Sequence, residues 1–401
     1  MCDTLCAIRP AGALFAKNSD RPLREVQLIE AHARRSGGSP LRTQYLTLDD
    51  PGAHALLGSR PDWLWGFEHG VNERRVAIGN EKVYTSGDPF AEPAALIGMD
   101  LVRLGVERGG TADEALEAMT VALERHGQGG VADQTTNEPY FSSFLIADPR
   151  SGWILETAGR TWVAAPVIGV AAISNRLSIR TEWTRSSADV PPGADWDAWR
   201  NQAAPTGYAD VRLDASRACL AATPAEALKP ADLAAHLRSH EDGPWARPGD
   251  PAGAVSPIPV QANPVSGTGI TVCMHVAGFQ STTSSMVAEL PADPGAPLRA
   301  WVAPASPCAS IYVPVFPPHA GPAALGDPAV WARFASLRDY AWQSAEALAE
   351  VRAAFAPLEA ELWAEADDVA PNADKHVAFV ESAWRRVEGV LGRLESLTAA
   401  A

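Results

Sequence analysis

The chain has 401 residues, 46% of them hydrophobic, which suits one large domain with an appendage or two domains. Its formal net charge of −15 argues against nucleic acid or an anionic membrane surface as a partner held by sequence-independent attraction. Five scattered cysteines, Cys2, Cys6, Cys219, Cys273 and Cys308, form no CxxC pair and no zinc-like spacing, so neither structural disulfides nor a metal or other cofactor is expected and a reducing cytoplasm fits best. The short apolar runs near the N-terminus are broken by Arg9 and Pro10 and make no signal peptide, and no stretch approaches the length of a membrane span.

The chain opens Met1-Cys2-Asp3-Thr4, and Met is usually trimmed before a small residue, so Cys2 is expected to become the N-terminus. Such a residue carries a thiol and an α-amine on adjacent carbons. The amine, with a reference pKa of about 7.7–8.0, serves as a general base at neutral pH, and the thiolate is the nucleophile. The runs Thr4 to Ile8 and Ala13 to Ala16 flank the turn Pro10-Ala11-Gly12 and predict a β-hairpin. Its far arm continues Lys17-Asn18-Ser19-Asp20-Arg21-Pro22. Folded back, it brings Asp20 to the amine, to orient it, and Lys17 to the thiol.

Strands are predicted around Val26, Leu28 and Ile29 and over 43–48, separated by a loop over 36–40. Trp63 and Trp65, at alternate positions, are expected on one face of a further strand. Gly70-Val71-Asn72-Glu73 is a turn before the strand Val76-Ala77-Ile78, which ends in Gly79-Asn80-Glu81. Two helices follow, one from Pro89 to Gly109 with Ala95, Met99, Val102 and Val106 on a stripe, the next opened by the capping sequence Thr111-Ala112-Asp113-Glu114 and closed at Gly127. Turn-separated alternating segments between Phe141 and Ser174 predict an antiparallel meander ending at Asn175. Residues 181–207 are loop-like, and Trp183, Trp196 and Trp199 suggest a mobile cover. Helices are expected over 208–222 and 231–240, and an exposed Pro/Gly-rich loop over 243–257.

Gly269 to His275 and Gln280 to Val287 predict strands, with Trp301 to Cys308 continuing the sheet. Cys273 and His275, two apart, share a strand face and suit either core packing or a second Cys–His site. After Pro318 the composition turns to Ala, Leu, Glu and Arg, and two amphipathic helices are expected, over 328–356 and 373–397. The domain division read from this is 1–317 for the main domain and 318–401 for a helical extension packed on it.

Taken together, Met1-Cys2-Asp3-Thr4, Lys17-Asn18-Ser19-Asp20-Arg21-Pro22, Cys273-Met274-His275 and the Thr/Ser-rich run after Gln280 resemble the secernins and the related cysteine dipeptidases, N-terminal-nucleophile hydrolases. The chain is more distantly similar to the choloylglycine and penicillin V amide hydrolases, which carry Arg where Lys17 stands. The resemblance implies an α+β fold, a four-layer αββα sandwich with C-terminal helices. It implies hydrolysis of a dipeptide or small N-acyl amide, with Cys2 as nucleophile, Asp20 orienting its amine, Asn80 donating to the oxyanion and Asn175 supporting the site. Arg217 lies where bile-salt hydrolases have an arginine near the nucleophile. A small peptide or N-acyl substrate is the expected partner, with a homo-oligomer open. The alternatives are a catalytically silent interaction protein on the same scaffold and an acyltransferase in which an amine replaces water.

Overall fold

The computed structural model describes residues 1–204, 206–240, 270–276, 278–318 and 321–398. The hairpin forms as β1 (Cys2–Arg9) and β2 (Gly12–Pro22), with Cys2 opposite Ser19 and Arg9 opposite Gly12. Gly12, at φ 131°, takes the tight turn that a side chain would resist. All eleven residues of β2 are buried, which requires cover on both faces.

One face is covered by a second sheet. That sheet holds β3 (Gln27–His32), β4 (Leu56–Pro61), β5 (His69–Asn72) and β6 (Ala77–Val83). The helices α1 (Gly98–Arg108) and α2 (Ala112–His126) intervene. The sheet then resumes with β7 (Phe141–Ala147), β8 (Gly152–Ala158) and β9 (Thr161–Pro166). The chain crosses over at β10 (Val170–Ile173), which pairs with β1, Thr4 opposite Ile173. That crossing sets Asn175 beside the first residues of the chain. A short β11 (Arg185–Ser186) returns to the edge of the second sheet, whose order is β11-β9-β8-β7-β6-β5-β4-β3.

The helices α3 (Gly207–Ala221) and α4 (Pro230–Leu237) cover the outer face of the first sheet. The remaining strands are β12 (His275–Val276), β13 (Gln280–Pro291), β14 (Arg299–Pro304) and β15 (Val313–Val315). They complete the order β10-β1-β2-β13-β14-β15, with β12 against β13. Strand alternation then sorts the hairpin's side chains: Cys6, Ala13 and Phe15 enter the core between the sheets, while Leu5, Ala7, Leu14 and Ala16 meet α3 and α4. On the far side, Ile78, Phe144 and Ile146 pack on Leu101, Val102, Leu116 and Met119 of α1 and α2. The layers run helix, sheet, sheet, helix, the αββα sandwich implied by the resemblance.

Three helices, α5 (Pro328–Ala341), α6 (Ala345–Val369) and α7 (His376–Thr398), follow. Phe334, Phe355 and Trp384 join Val313, Val315 and Phe316 in one continuous core, so this segment packs directly on the sandwich. No helix among the described residues is long and apolar enough to cross a membrane.

Several local expectations are corrected. Trp63 and Trp65 lie in a turn, Trp63 Nε1 donating to Glu25 at 2.8 Å and Trp65 stacking on Arg103. The 43–48 segment is a small hairpin turn, not one strand. The first helix begins at Gly98, nine residues beyond Pro89, because the Asp100 carboxylate bonds back to the Ile97 N–H and starts it there. The helix expected over 328–356 breaks at Trp342, and Ser344 restarts the chain as α6 by accepting from Ala347 N–H. Trp196 is fully buried and stacks on Trp199 at 4.8 Å, so these indoles build a satellite core. The loop expected over 243–257 lies outside the described residues.

Candidate active site

Cys2 sits at the start of β1, 5% exposed, with its backbone N–H donating to Asn175 Oδ1 at 2.7 Å. Asp20, on the far arm, turns its backbone N–H toward the Cys2 sulfur at 3.4 Å. The Asp20 carboxylate accepts from Thr282 Oγ1 at 2.7 Å and stands 3.9 Å from the Arg212 guanidinium. Burial pushes its pKa up to about 7, against the pull of the N-terminal ammonium and Arg212. A β-bulge makes the Thr282 contact: opposite β2, the register slips between Thr282 and Ser284. The extra residue lets Thr282 face Asp20 on one side of the sheet while Ser284 meets Ser59 at 2.9 Å on the other.

Met1 occupies the space in front of Cys2. Its ammonium donates to Gln280 Oε1 at 2.9 Å and to the Asp20 carbonyl at 3.2 Å, and burial holds its pKa below the usual 8.0. In this state the ammonium meets the carbonyl of Asp20, not its carboxylate. The Met1 side chain packs against a small apolar cluster of Tyr208, Val211, Ile270, Met274 and Val276.

Lys17 is fully buried between the sheets, and all three ammonium protons have acceptors: Asn80 O at 2.6 Å, Glu81 Oε1 at 3.3 Å and Asn18 O at 3.3 Å. Burial alone would lower its pKa, but negative charge at Cys2, Glu81, Glu68 and Asp20 holds it above the usual range. Its stem crosses directly over Gly79, where a Cβ would lie 2.5 Å from Lys17 Cδ. Lys17 therefore tells on the thiol through its charge. Burial raises the Cys2 pKa and Lys17 is the largest influence bringing it down.

Asn80 lies in the middle of β6, which runs on to Val83 and does not end at residues 79–81 as expected. Oriented by its hydrogen bonds, its amide nitrogen donates to Glu68 Oε2 at 2.9 Å and to the Glu68 carbonyl at 2.9 Å. Glu68 in turn lies 3.3 Å from Arg21, which also donates to the Tyr140 hydroxyl at 3.0 Å.

The residue that sequence reasoning missed is Arg212. It is fully buried, and its Nη1 donates to Asp3 Oδ2 at 2.6 Å and to the Cys2 carbonyl at 3.1 Å, while its Nη2 donates to Asn175 Oδ1 at 2.8 Å. One guanidinium thus ties the Cys2 carbonyl to two of its neighbours, a use of the planar fork that lysine cannot imitate. Arg217, five residues on, is exposed and lies 3.8 Å from Asp214. A signal was present: Tyr208, Arg212 and Ser216 fall at i, i+4 and i+8, the buried stripe of α3, whereas Arg217 falls off it.

A cleft of about 360 Å³ adjoins the site, lined by Lys82, Tyr84, Phe90, Glu138, Tyr140 and Phe141. Asn175 Nδ2 donates to the Lys82 carbonyl at 2.9 Å, which links the cleft wall to the Cys2 cluster.

No protein-family profile matches this chain. Among solved structures it is similar to an N-acylethanolamine-hydrolyzing acid amidase ortholog from Caenorhabditis elegans, at 11% identity over 71% of this chain and 92% of that one, with a TM-score of 0.39. It is similar to a conjugated bile acid hydrolase from Clostridium perfringens at 12% identity, covering 75% of this chain and 88% of that one, TM-score 0.42. It is similar also to a penicillin V acylase from Agrobacterium tumefaciens at 11% identity, covering 79% and 87%, TM-score 0.40.

Proposed function

We propose that this protein is an amide-bond hydrolase that loses Met1 and uses Cys2 as an N-terminal nucleophile. The observation that carries the reading is the environment of the Cys2 nitrogen, 2.7 Å from Asn175 Oδ1 in a buried site beside the Arg212 guanidinium. Once Met1 is gone that nitrogen is an amine. Burial and the neighbouring cation both disfavour its charged form, which leaves a lone pair to accept the thiol proton. The thiolate attacks the substrate carbonyl, and the amine returns the proton to the leaving nitrogen. Water then resolves the thioester by the same relay. Lys17 supplies the fixed positive charge near the sulfur, and Asn80, released from Glu68, donates to the oxyanion.

The place of Met1 supports a dipeptide as substrate. Its departure frees an acceptor pair, Gln280 Oε1 and the Asp20 carbonyl, suited to the α-ammonium of an incoming aminoacyl group, and an apolar pocket suited to its side chain. Lys82, in the wall of the adjoining cleft and paired there with Glu138, is the cation we assign to the far carboxylate, which would take over from Glu138. A reducing cytoplasm is where a free thiol of this kind persists.

The test is the intact mass of the purified protein before and after brief exposure to dipeptides and N-acyl amino acids. Loss of one Met and a transient acyl adduct on Cys2 is the expected result. Retained Met1 with no adduct on any substrate would overturn the reading and favour a non-catalytic binding protein.

A further inference from the structure

We propose that His240, Cys273 and Cys308 bind a thiophilic d10 metal ion, Zn²⁺ or Cu⁺, at a structural site behind the Cys2 cluster. The three donor atoms come from separate segments: the stretch just after α4, the bend that leads into β12, and the turn Pro307–Ala309 that follows β14. They nonetheless lie within 4.8 Å of one another. A tetrahedral zinc ion, with bonds of about 2.3 Å to sulfur and about 2.0–2.1 Å to nitrogen, needs donors roughly 3.3–3.8 Å apart, so a small rotation of each side chain closes the site. Thiolate and imidazole are the donors that select such ions.

Three features distinguish this cluster from ordinary core packing. Cys273 is fully buried and Cys308 nearly so, and both thiols lie out of bulk water with a His240 ring nitrogen within 4.8 Å. The centre of the cluster therefore holds protons that a cation would displace into solvent on binding. Second, His240 Nε2 and His275 Nε2 are buried with no hydrogen-bond partner among the described residues, and the two rings meet edge-on at 4.6 Å. Buried imidazole nitrogens normally find a partner, and a metal supplies one, with His275 or a water in the fourth position. Third, the scaffold is already fixed: Cys273 N–H donates to Ser239 O at 3.0 Å, Thr271 Oγ1 to Cys273 O at 2.6 Å, and Ser306 Oγ to Thr282 O at 2.9 Å.

The position has a consequence for the front of the sheet. Met274, between Cys273 and His275, donates its N–H to Thr282 Oγ1 at 2.9 Å, and that hydroxyl donates to Asp20. An ion at this site braces the strand on which the Asp20 contact hangs. The inference does not depend on Cys2 being a nucleophile.

The test uses full-length protein purified with a reductant and without chelator. Elemental analysis should find one equivalent of zinc or copper per chain. Chelator competition with Zn²⁺ in one arm and Cu⁺ in the other should show which ion is held more tightly. Co²⁺ substitution should give the sulfur-to-cobalt charge-transfer band of two thiolates. Cys308→Ser should weaken Zn²⁺ binding by more than the roughly 10–100-fold that loss of a ligand's supporting partner costs. If that variant does not fold, His240→Gln, at the partly exposed edge, tests the same point, and the cobalt band in the unmutated protein requires no variant. No stoichiometric metal in either arm, an absent thiolate band, equal affinity in the variants, or a Cys273–Cys308 disulfide in the reduced preparation would each overturn the proposal.

Discussion

The two halves of β2 are equally buried and chemically opposite. Ala13 to Ala16 are apolar and sit in dry cores on both faces, whereas Lys17 to Arg21 include two cations, a carboxylate, an amide and a hydroxyl, none more than 4% exposed. Strand β13 follows much the same division, with Gln280 to Ser285 beside Asn18 to Pro22, Met286 opposite Lys17, and Val287 to Leu290, polar only at Glu289, beside Ala13 to Ala16. One end of the sandwich is held by packing, the other by charges that cancel: Lys17 with Glu81, Arg212 with Asp3, Arg21 with Glu25 and Glu68. Burying ions in this way is weak evidence for stability and better evidence for a site, because hydrophobic replacements of like volume commonly serve the fold as well.

That contrast is broken most completely by Cys2→Ala. We expect turnover to fall by roughly 10⁴-fold or more, to background, with an unchanged circular dichroism spectrum and melting temperature. Activity surviving in that variant would remove the nucleophile from the polar end. Next comes Lys17→Met, which leaves Glu81 buried without its cation and is expected to cost about 3–5 kcal/mol in denaturant unfolding. Adding Glu81→Leu should restore most of that stability while the Cys2 thiol, now without the Lys17 charge, reacts more slowly with iodoacetamide. If the double variant is no more stable than the single one, the pair is holding the fold and not the site. At the apolar end, Leu14→Ala should cost about 2–5 kcal/mol through lost burial and a residual cavity, yet leave thiol reactivity unchanged.

The apolar end was legible in the sequence and the polar end only in part. The hairpin, the meander and the capped second helix follow from alternation, turn residues and Thr111, which are local signals. Cys2 announced itself by its place after the initiator Met, and Lys17 and Asp20 by lying on the far arm of a hairpin that folds back beside it. Arg212 did not: its role depends on α3 docking across β1, a contact between positions 2 and 212 that no local pattern encodes. Glu68 and Glu81 escaped notice for the same reason, as acids whose partners come from another strand. The break at Trp342 was missed because the apolar spacing runs through it, and only the Ser344 cap marks the restart. The His240–Cys273–Cys308 cluster was hidden by spacing, since its ligands are not arranged in the short pairs that flag metal sites in a sequence.

A smaller effect sharpens the comparison, because it isolates burial from function. Glu156 of β8 is fully buried, away from the Cys2 cluster, and its carboxylate accepts from the Ser178 N–H at 2.6 Å and the Ile179 N–H at 3.4 Å. Burial pushes its pKa from the ordinary 4.5 up to about 8, the two N–H donors opposing. Between those values the folded protein keeps a proton that the unfolded chain releases, so stability is highest below about pH 4.5 and declines as the pH rises toward 8. Glu156→Gln cannot ionise and should remove its share of that decline, on the order of a few kcal/mol between the two limits, while Asp20 and Glu81, both raised to about 7, still contribute a slope of the same sign. The measurement is the urea midpoint of both proteins from pH 5 to 8. Converging curves at low pH with the variant ahead at pH 8 are expected, and parallel curves would mean that the Ser178 and Ile179 donors stabilise the Glu156 carboxylate fully. In that event a buried charge held chiefly by backbone N–H groups would be as well satisfied as the ion pairs around Cys2, and the polar half of the sandwich would owe its composition to structure as much as to chemistry.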